Sequence, residues 1–312
     1  MRLSDGSAPT TTPRSRGVVV VGDVLTDVLV VHEDALAIGS DTAASISVAG
    51  GGQGANTAAW LAYAGCAVTL VAAVGDDAAG RDRIAELAAR GVRCAVRTQA
   101  GAGTGSVVVL ASARERTMFT DRGAALLLDP ADVSPAVAEA DAGHLHLSGY
   151  PLLDDASRPA GLAALAAARE RGLTTSVDAA SAAPLRRAGS AFREWVRGVD
   201  LLLCNADEAG VLAGPGAVIE QARALTAFAP NVVIKQGAAG ALWCDADGVL
   251  HVGPTGSGQS PPGDVIDPTG AGDAFAAGLL AAWCAGADPA AAVSAGAMLG
   301  ATAVSRIGAR PA

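Results

Sequence analysis

Aromatic residues make up only 3% of this 312-residue chain, and charged residues only 17%. A core built on ring packing is excluded by the first figure. Small residues fill the apolar fraction instead, with Ala prominent and 39 glycines beside it, so helices are expected to pack closely on a sheet. The net charge of -9 excludes a broad electrostatic grip on nucleic acid or on an anionic membrane, since both need clustered Lys and Arg. Cysteine is sparse and scattered: Cys66, Cys94, Cys204, Cys244 and Cys284 form no C-x-x-C pair. That spacing excludes a zinc ribbon or a disulfide framework and fits reduced thiols in a cytoplasmic protein. No H-E-x-x-H occurs, and His144 and His146 alternate along an expected strand, where they are read as structural. No apolar run reaches the roughly 20 residues of a membrane span, because Gly65 divides Ala58–Val74 into a helical half and a strand-like half. The opening residues 1–16 are polar and rich in Pro and Thr, without an apolar stretch, and are expected to be a disordered tail.

What is present is a succession of short apolar runs separated by helical segments. Val18–Val21, Val68–Val74, His144–Leu147, Thr174–Val177, Leu201–Cys204 and Val232–Ile234 read as buried strands. Ala78–Arg90, closed by Gly91, and Ser157–Arg171 read as helices. In the second, Ser157 stands at the N-cap and Pro159 in the first turn. Two Ala-rich helices are expected late, over Ala274–Ala285 and Pro289–Ala303. The alternation predicts an α/β fold: a mostly parallel central sheet flanked by helices. Two β-rich stretches interrupt it, approximately 28–48 and 95–119, and predict a small separate sheet; Ser106–Leu110 and Arg116–Phe119 flank a polar turn as a hairpin would. Gly253–Asp264 is a Gly/Pro-rich surface loop inside one domain spanning 17–312.

Two segments carry chemistry. In Asp267–Gly278, DPTGAGDAFAAG, the glycines and Pro268 resist helix and Ala274 onward favours it. Gly270, Ala271, Gly272 and Asp273 therefore fall at a helix N-terminus, where unpaired N–H groups and partial positive charge suit a phosphate. Asp273 is placed there either as a proton acceptor beside that phosphate or as an ordinary N-cap. In GGGQGAN, the glycines before the helix expose backbone for polar ligands, with Asn56 at the edge. Gly50-x-Gly52-x-x-Ala55 fits a dinucleotide fingerprint only loosely, since it does not follow the first strand, and no P-loop is present.

Together these segments resemble the ribokinase-like (PfkB) family of carbohydrate kinases, which includes ribokinases, fructokinases and adenosine kinases. Gly51, Gly52, Gly54, Asn56, Ala58, Gly65 and Gly75 fit the family's N-terminal pattern, and Asp267 through Asp273 its C-terminal one. The resemblance runs from about Val18 to Pro311. It implies one α/β domain with a β-sheet lid, ATP and Mg2+ as cofactors, and Asp273 as general base at the Gly270–Gly272 anion site. A sugar-like substrate would be held by Asp27, Gly51, Gly52, Gln53, Gly54 and Asn56. Asn205 and Glu208, in NADE, would organise Mg2+ and phosphate largely through water, although the same residues also read as a helix cap. Lys235, Gly237 and Gly240 would lie against the nucleotide; many relatives have Thr at the Lys235 position, so Lys235 stands ready to meet a phosphate instead. Asp267, with carbonyls of Thr269, Ala303, Arg306 and Gly308, matches a K+ site, with direct pairing of Asp267 and Arg306 as the alternative. A homodimer through the lid is a further expectation.

Leu25 and Gly149 stand where ribokinases place hydroxyl-binding Asn and Glu, which argues against ribose itself. Asp121 and Arg122, at the lid edge, read as a solvated pair or as substrate contacts. The alternatives to a sugar kinase are a nucleoside kinase stacking its base on Tyr63, Phe119 or Tyr150, and a sugar- or nucleotide-binding module without turnover.

Overall fold

The computed structural model describes residues 17–33, 35–112, 116–253 and 267–312. The expected tail at 1–16 and nearly all of the Gly253–Asp264 loop lie outside these. Thirteen strands are described: β1 (Gly17–Val21), β2 (Leu25–Val31), β3 (Ser45–Gly51), β4 (Val68–Gly75), β5 (Val92–Gln99), β6 (Thr104–Ala111), β7 (Arg116–Gly123), β8 (Ala142–Ser148), β9 (Thr174–Asp178), β10 (Leu201–Asn205), β11 (Asn231–Lys235), β12 (Ala241–Asp245) and β13 (Gly248–Val252). Nine form one sheet in the order β13-β12-β11-β10-β9-β8-β1-β4-β5, parallel except at β12 and β13. The other four form a smaller sheet, β3-β2-β6-β7.

Both faces of the large sheet are covered, which explains the unbroken apolar strands. Val19 and Val21 of β1 face one core, shared with the helices Pro130–Glu139, Arg158–Glu170, Ala206–Ala213 and Val218–Leu225. Val18 and Val20 face the other, shared with Gln53–Tyr63, Ala271–Cys284 and Pro289–Val304. The last two helices approach closely because a Cβ on Gly278 would strike the Ala295 carbonyl.

Two expectations need correction. Residues 95–99 belong to β5, paired with β4 along its whole length, and not to the smaller sheet. As an edge strand β5 is only half-buried, so by sequence it resembles a lid strand. The smaller sheet instead draws its strands from Leu25–Gly51 and Thr104–Gly123, beyond 28–48 at both ends and past 119. Ser157 stands at its helix N-cap position, but its hydroxyl donates to the Pro151 carbonyl at 3.0 Å and caps nothing.

His144 and His146 are buried in β8. Ser176 Oγ lies 2.7 Å from His144 Nε2 and 2.8 Å from His146 Nδ1, and Thr174 Oγ1 lies 2.8 Å from His144 Nδ1. Burial pulls His144 down to about 3 and His146 to about 4. A folded-state pKa below the unfolded value of 6.5 costs stability as pH falls through 6.5, where the unfolded chain binds a proton and the folded chain does not. His146→Gln should therefore gain about 2 kcal/mol on the wild type between pH 7.5 and pH 5. Urea melts of both proteins check this, since groups remote from His146 contribute equally to both; parallel pH curves would contradict it.

Candidate active site

Ligands of open α/β sheets bind beyond the carboxyl ends of the strands. Here that edge carries Lys235 from β11, Asn205 from β10, Asp178 from β9, Ser148 from β8, and Asp23 just past β1. Asp178 organises the row. Its Oδ2 accepts from Lys235 Nζ at 2.6 Å, and its Oδ1 from Gln53 Nε2 and the Ala180 N–H, each at 3.0 Å. Ser148 Oγ donates to Gln53 Oε1 at 2.5 Å, fixing that amide with its NH2 toward Asp178. Burial pulls the Lys235 ammonium down, but the Asp178 and Glu208 carboxylates outweigh it and leave its pKa above the ordinary lysine value.

The helix Ala271–Cys284 begins at this edge. Gly270 is its N-cap at φ 75°, a left-handed turn that also presses on Ala309; any Cβ there would run into the Ala309 carbonyl. Asp273 lies in the first turn and does not cap the helix. Its Oδ2 accepts from Asn56 Nδ2 at 2.9 Å, a bond between two segments 217 residues apart. Burial pushes Asp273 up to about 8, offset by the Asn56 hydrogen bond and reinforced by Asp178; Lys235 and Asp23 act in opposite senses. The Lys235 ammonium lies 3.4 Å from where a Gly272 Cβ would stand, so a cation flanks the first turn of this helix.

Asp273 and Gly270 open into a cavity of about 970 Å³ whose other wall is the smaller sheet. Asp27 of β2 lines it, with its carboxylate packed directly against Gly51, where a Cβ would displace it. Gly52, Gln53 and Asn56 complete the floor. Gly54 serves differently: its N–H donates to Asp23 Oδ1 at 3.1 Å, and its Cα packs against Gly22. Arg122 crosses from β7 to Asp23 Oδ2 at 3.0 Å and lies 3.5 Å over the Tyr150 ring. Of the two sequence readings of Asp121 and Arg122, the solvated pair is thereby corrected for Arg122, whose guanidinium meets a buried carboxylate and a ring face. Both residues line the cavity, where the reading as substrate contacts would place them.

Residues 15–312 match the pfkB family carbohydrate kinase model. The chain belongs to this family. It is similar to the 2-dehydro-3-deoxygluconokinase of Thermoproteus tenax, 32% identical over 76% of this chain and 74% of that one. Among solved structures it is similar in fold to the adenosine kinase of Sinorhizobium meliloti, with a TM-score of 0.85, 24% identity and 96% of each chain covered. An E. coli structure in complex with ATP and Mg2+ matches with a TM-score of 0.81, 23% identity and 94% of each chain covered. The protein is thus an ATP-dependent carbohydrate kinase.

Other expected positions of the kinase fall less simply. Asn205 and Glu208 form a complete capping box: Asn205 Oδ1 accepts from the Glu208 N–H at 2.9 Å, and Glu208 Oε2 from the Asn205 N–H at 2.8 Å. Glu208 is buried and pushed up to about 7, by burial first and then by Asp178. No group of three metal-ligating side chains occurs among the described residues. Gly237 and Gly240 shape the turn from β11 to β12, away from Asp273 in sequence but directly after Lys235. Asp267 accepts from Thr269 N and Oγ1 at 2.9 and 2.6 Å and from the Gly308 N–H at 3.1 Å. Arg306 places its guanidinium 5.9 Å over the Trp60 ring, and the Ala303 carbonyl accepts from the Arg306 N–H. No helix among the described residues is long and apolar enough to cross a membrane.

Sequence reasoning missed Asp23, Ser148, Asp178 and Arg310. The first three were findable from the strand-end rule alone. Lys235 also carried an unused signal, being the only lysine in the chain.

Proposed function

We propose that the kinase transfers the γ-phosphoryl of ATP to a hydroxyl of a sugar-like acceptor, with Asp273 as general base. The observation that carries this is Asp273 itself, a carboxyl raised to about 8 at a helix N-terminus, opening into the cavity that Asp27 lines. Phosphate charge would be met by the N–H groups of Gly270, Ala271 and Gly272 and by Lys235, while Asp273 takes the hydroxyl proton; positioning and charge stabilisation are what phosphoryl transfer needs. Mg2+ bound with ATP would neutralise phosphate charge. Asn205 and Glu208 already spend their oxygens in the cap, so they fit a role reached through water and not direct ligation. Gly237 and Gly240 fit the nucleotide side, where their turn follows Lys235.

The cavity favours a sugar over a nucleoside. Tyr150 is the one aromatic lining residue among those described, and Arg122 already covers its ring. Tyr63 instead meets Trp60 edge-on, and Phe119 is exposed. Phosphorylation assays over a panel of sugars, sugar acids and nucleosides test the reading: ATP turnover with a sugar or sugar acid supports it, a nucleoside preference moves it to the neighbouring class, and binding without turnover refutes it.

Asp27→Ala should weaken acceptor binding by roughly 10–150-fold through loss of a charge-assisted hydrogen bond. ATP affinity should be nearly unchanged, since Asp27 lines the wall of the cavity against which the acceptor is proposed to sit. Calorimetry with each ligand separates the two; equal losses would contradict the placement.

A K+ ion at the carbonyls of Thr269, Ala303, Arg306 and Gly308, with Asp267 as the one charge, would join segments that Asp267 already clasps directly. The gain in kcat from K+ over Na+ should therefore be modest, about fivefold. Rates in K+, Na+ and tetramethylammonium at matched ionic strength measure it, and equal rates would remove the cation site. The proposed homodimer through the lid has an apolar face to use: Ile46, Val48 and Phe119 are exposed on one side of the smaller sheet.

A further inference from the structure

Asn56 is held from two sides. Its Nδ2 donates to Asp273 Oδ2 at 2.9 Å, and its Oδ1 accepts from Arg310 Nε at 3.1 Å. An asparagine amide can turn over and exchange its oxygen for its nitrogen. Arg310 opposes that exchange, because an NH2 turned toward Nε–H would set donor against donor in a buried place. Arg310 itself has little freedom. Its side chain is 3% exposed, one terminal nitrogen donates to the Gly51 carbonyl at 2.7 Å, and the other lies 3.3 Å from Glu86 Oε1.

The segment bearing Arg310 is fastened on both sides. Trp60 Nε1 donates to the Ala309 carbonyl at 2.9 Å, Arg90 Nε to the Pro311 carbonyl at 3.0 Å, and the Gly308 N–H to Asp267. Ala309 is also the residue on which Gly270 rests. A continuous chain of contacts thus runs from Glu86 through Arg310 and Asn56 to Asp273.

We propose that Arg310 is a positioning residue for phosphoryl transfer: it locks the Asn56 amide with Nδ2 toward Asp273, so that the base is offered a donor that favours its ionised, proton-accepting form. This rests on the reading of Asp273 as general base. With the amide turned over, Oδ1 would face the carboxyl and favour the protonated acid, which cannot accept the hydroxyl proton. Other charges facing Asp273 are Lys235, Asp178 and Asp23, with Tyr150 across the cavity; those facing Arg310 are Glu86, Arg83 and Asp27, with Arg90 sharing Glu86. Among the described residues, Arg310 alone of these bonds to Asn56 Oδ1.

The test is the pH dependence of kcat/KM in Arg310→Met and Arg310→Lys. A lysine keeps a cation near Glu86 but has its donors on one nitrogen, without the planar fork that reaches Asn56 and Gly51 from two. Both variants should move the acidic limb up by about one pH unit, with roughly tenfold loss below the limb and recovery at alkaline pH. KM for ATP should not change. A uniform loss at every pH, with the limb in place, would make Arg310 a structural prop and overturn the inference. Asp273→Asn separates the two claims: retained activity there defeats the base, whereas an inactive Asp273→Asn beside unshifted Arg310 variants defeats only this inference. In the unaltered enzyme, NMR should show the Asn56 side-chain amide signals titrating with the rate; pH-insensitive signals would also overturn it.

Discussion

Asp273→Asn is expected to lower kcat by roughly 10²–10⁴-fold, the usual contribution of a positioned proton acceptor. The substitution keeps the shape of the side chain and removes only the ability to take a proton. Asn56 Nδ2 can still donate to the amide oxygen at position 273, so the link between the two segments survives. The helix N-cap is Gly270 and not Asp273, so no cap is lost and the melting temperature should hold. Desolvation is relieved as well, since a titrating carboxyl pushed up by burial becomes a neutral amide. Steady-state kinetics beside a thermal melt decide it. A variant with near-normal kcat would reduce Asp273 to a packing residue.

The second large effect belongs to Lys235. Lys235→Met should lower stability by about 3–5 kcal/mol, the cost of breaking a buried ion pair and leaving its partner charged. The Lys235 and Asp178 side chains are 14% and 3% exposed, so solvent screens the pair little. Glu208 and Asp178 would then face each other without the cation that offsets them. A fall in melting temperature of roughly 5–10 °C should result. The ATP dependence should suffer too, because the ammonium sits against the Gly272 turn where phosphate is proposed to lie. Pairing Lys235→Met with Asp178→Leu in a double-mutant cycle isolates the interaction: the double variant should recover much of the lost stability, and additive losses would show that the pair contributes little.

The two motif segments were legible because glycines clustered just before a helix mark backbone that turns tightly or is closely approached. Gly270 takes a left-handed turn against the Ala309 backbone, and Gly51 lies directly against the Asp27 carboxylate. The parallel core was legible because strands such as Gly17–Val21 are apolar on both faces. The lid boundary was not, since an edge strand of the large sheet and a strand of a half-exposed sheet share one alternating pattern, and residues 95–99 went to the wrong layer. Arg122 and Arg310 were illegible for another reason. An arginine's partner depends on which carboxylate or amide the fold brings within reach, and Asp23 and Asn56 lie 99 and 254 positions away. NADE in isolation favours a cap, and a cap it is, with Glu208 raised by the burial that local sequence cannot reveal.

The pH dependence of kcat/KM for phosphoryl transfer from ATP to the best acceptor tests the central claim most directly. A base whose pKa burial raises to about 8 must lose its proton before it can accept one. The rate should therefore climb about tenfold per pH unit below pH 8 and level off above it, and the climb should vanish in Asp273→Asn. A profile that is flat from pH 6 to pH 9, or one whose climb survives in Asp273→Asn, would contradict Asp273 as the group that takes the hydroxyl proton.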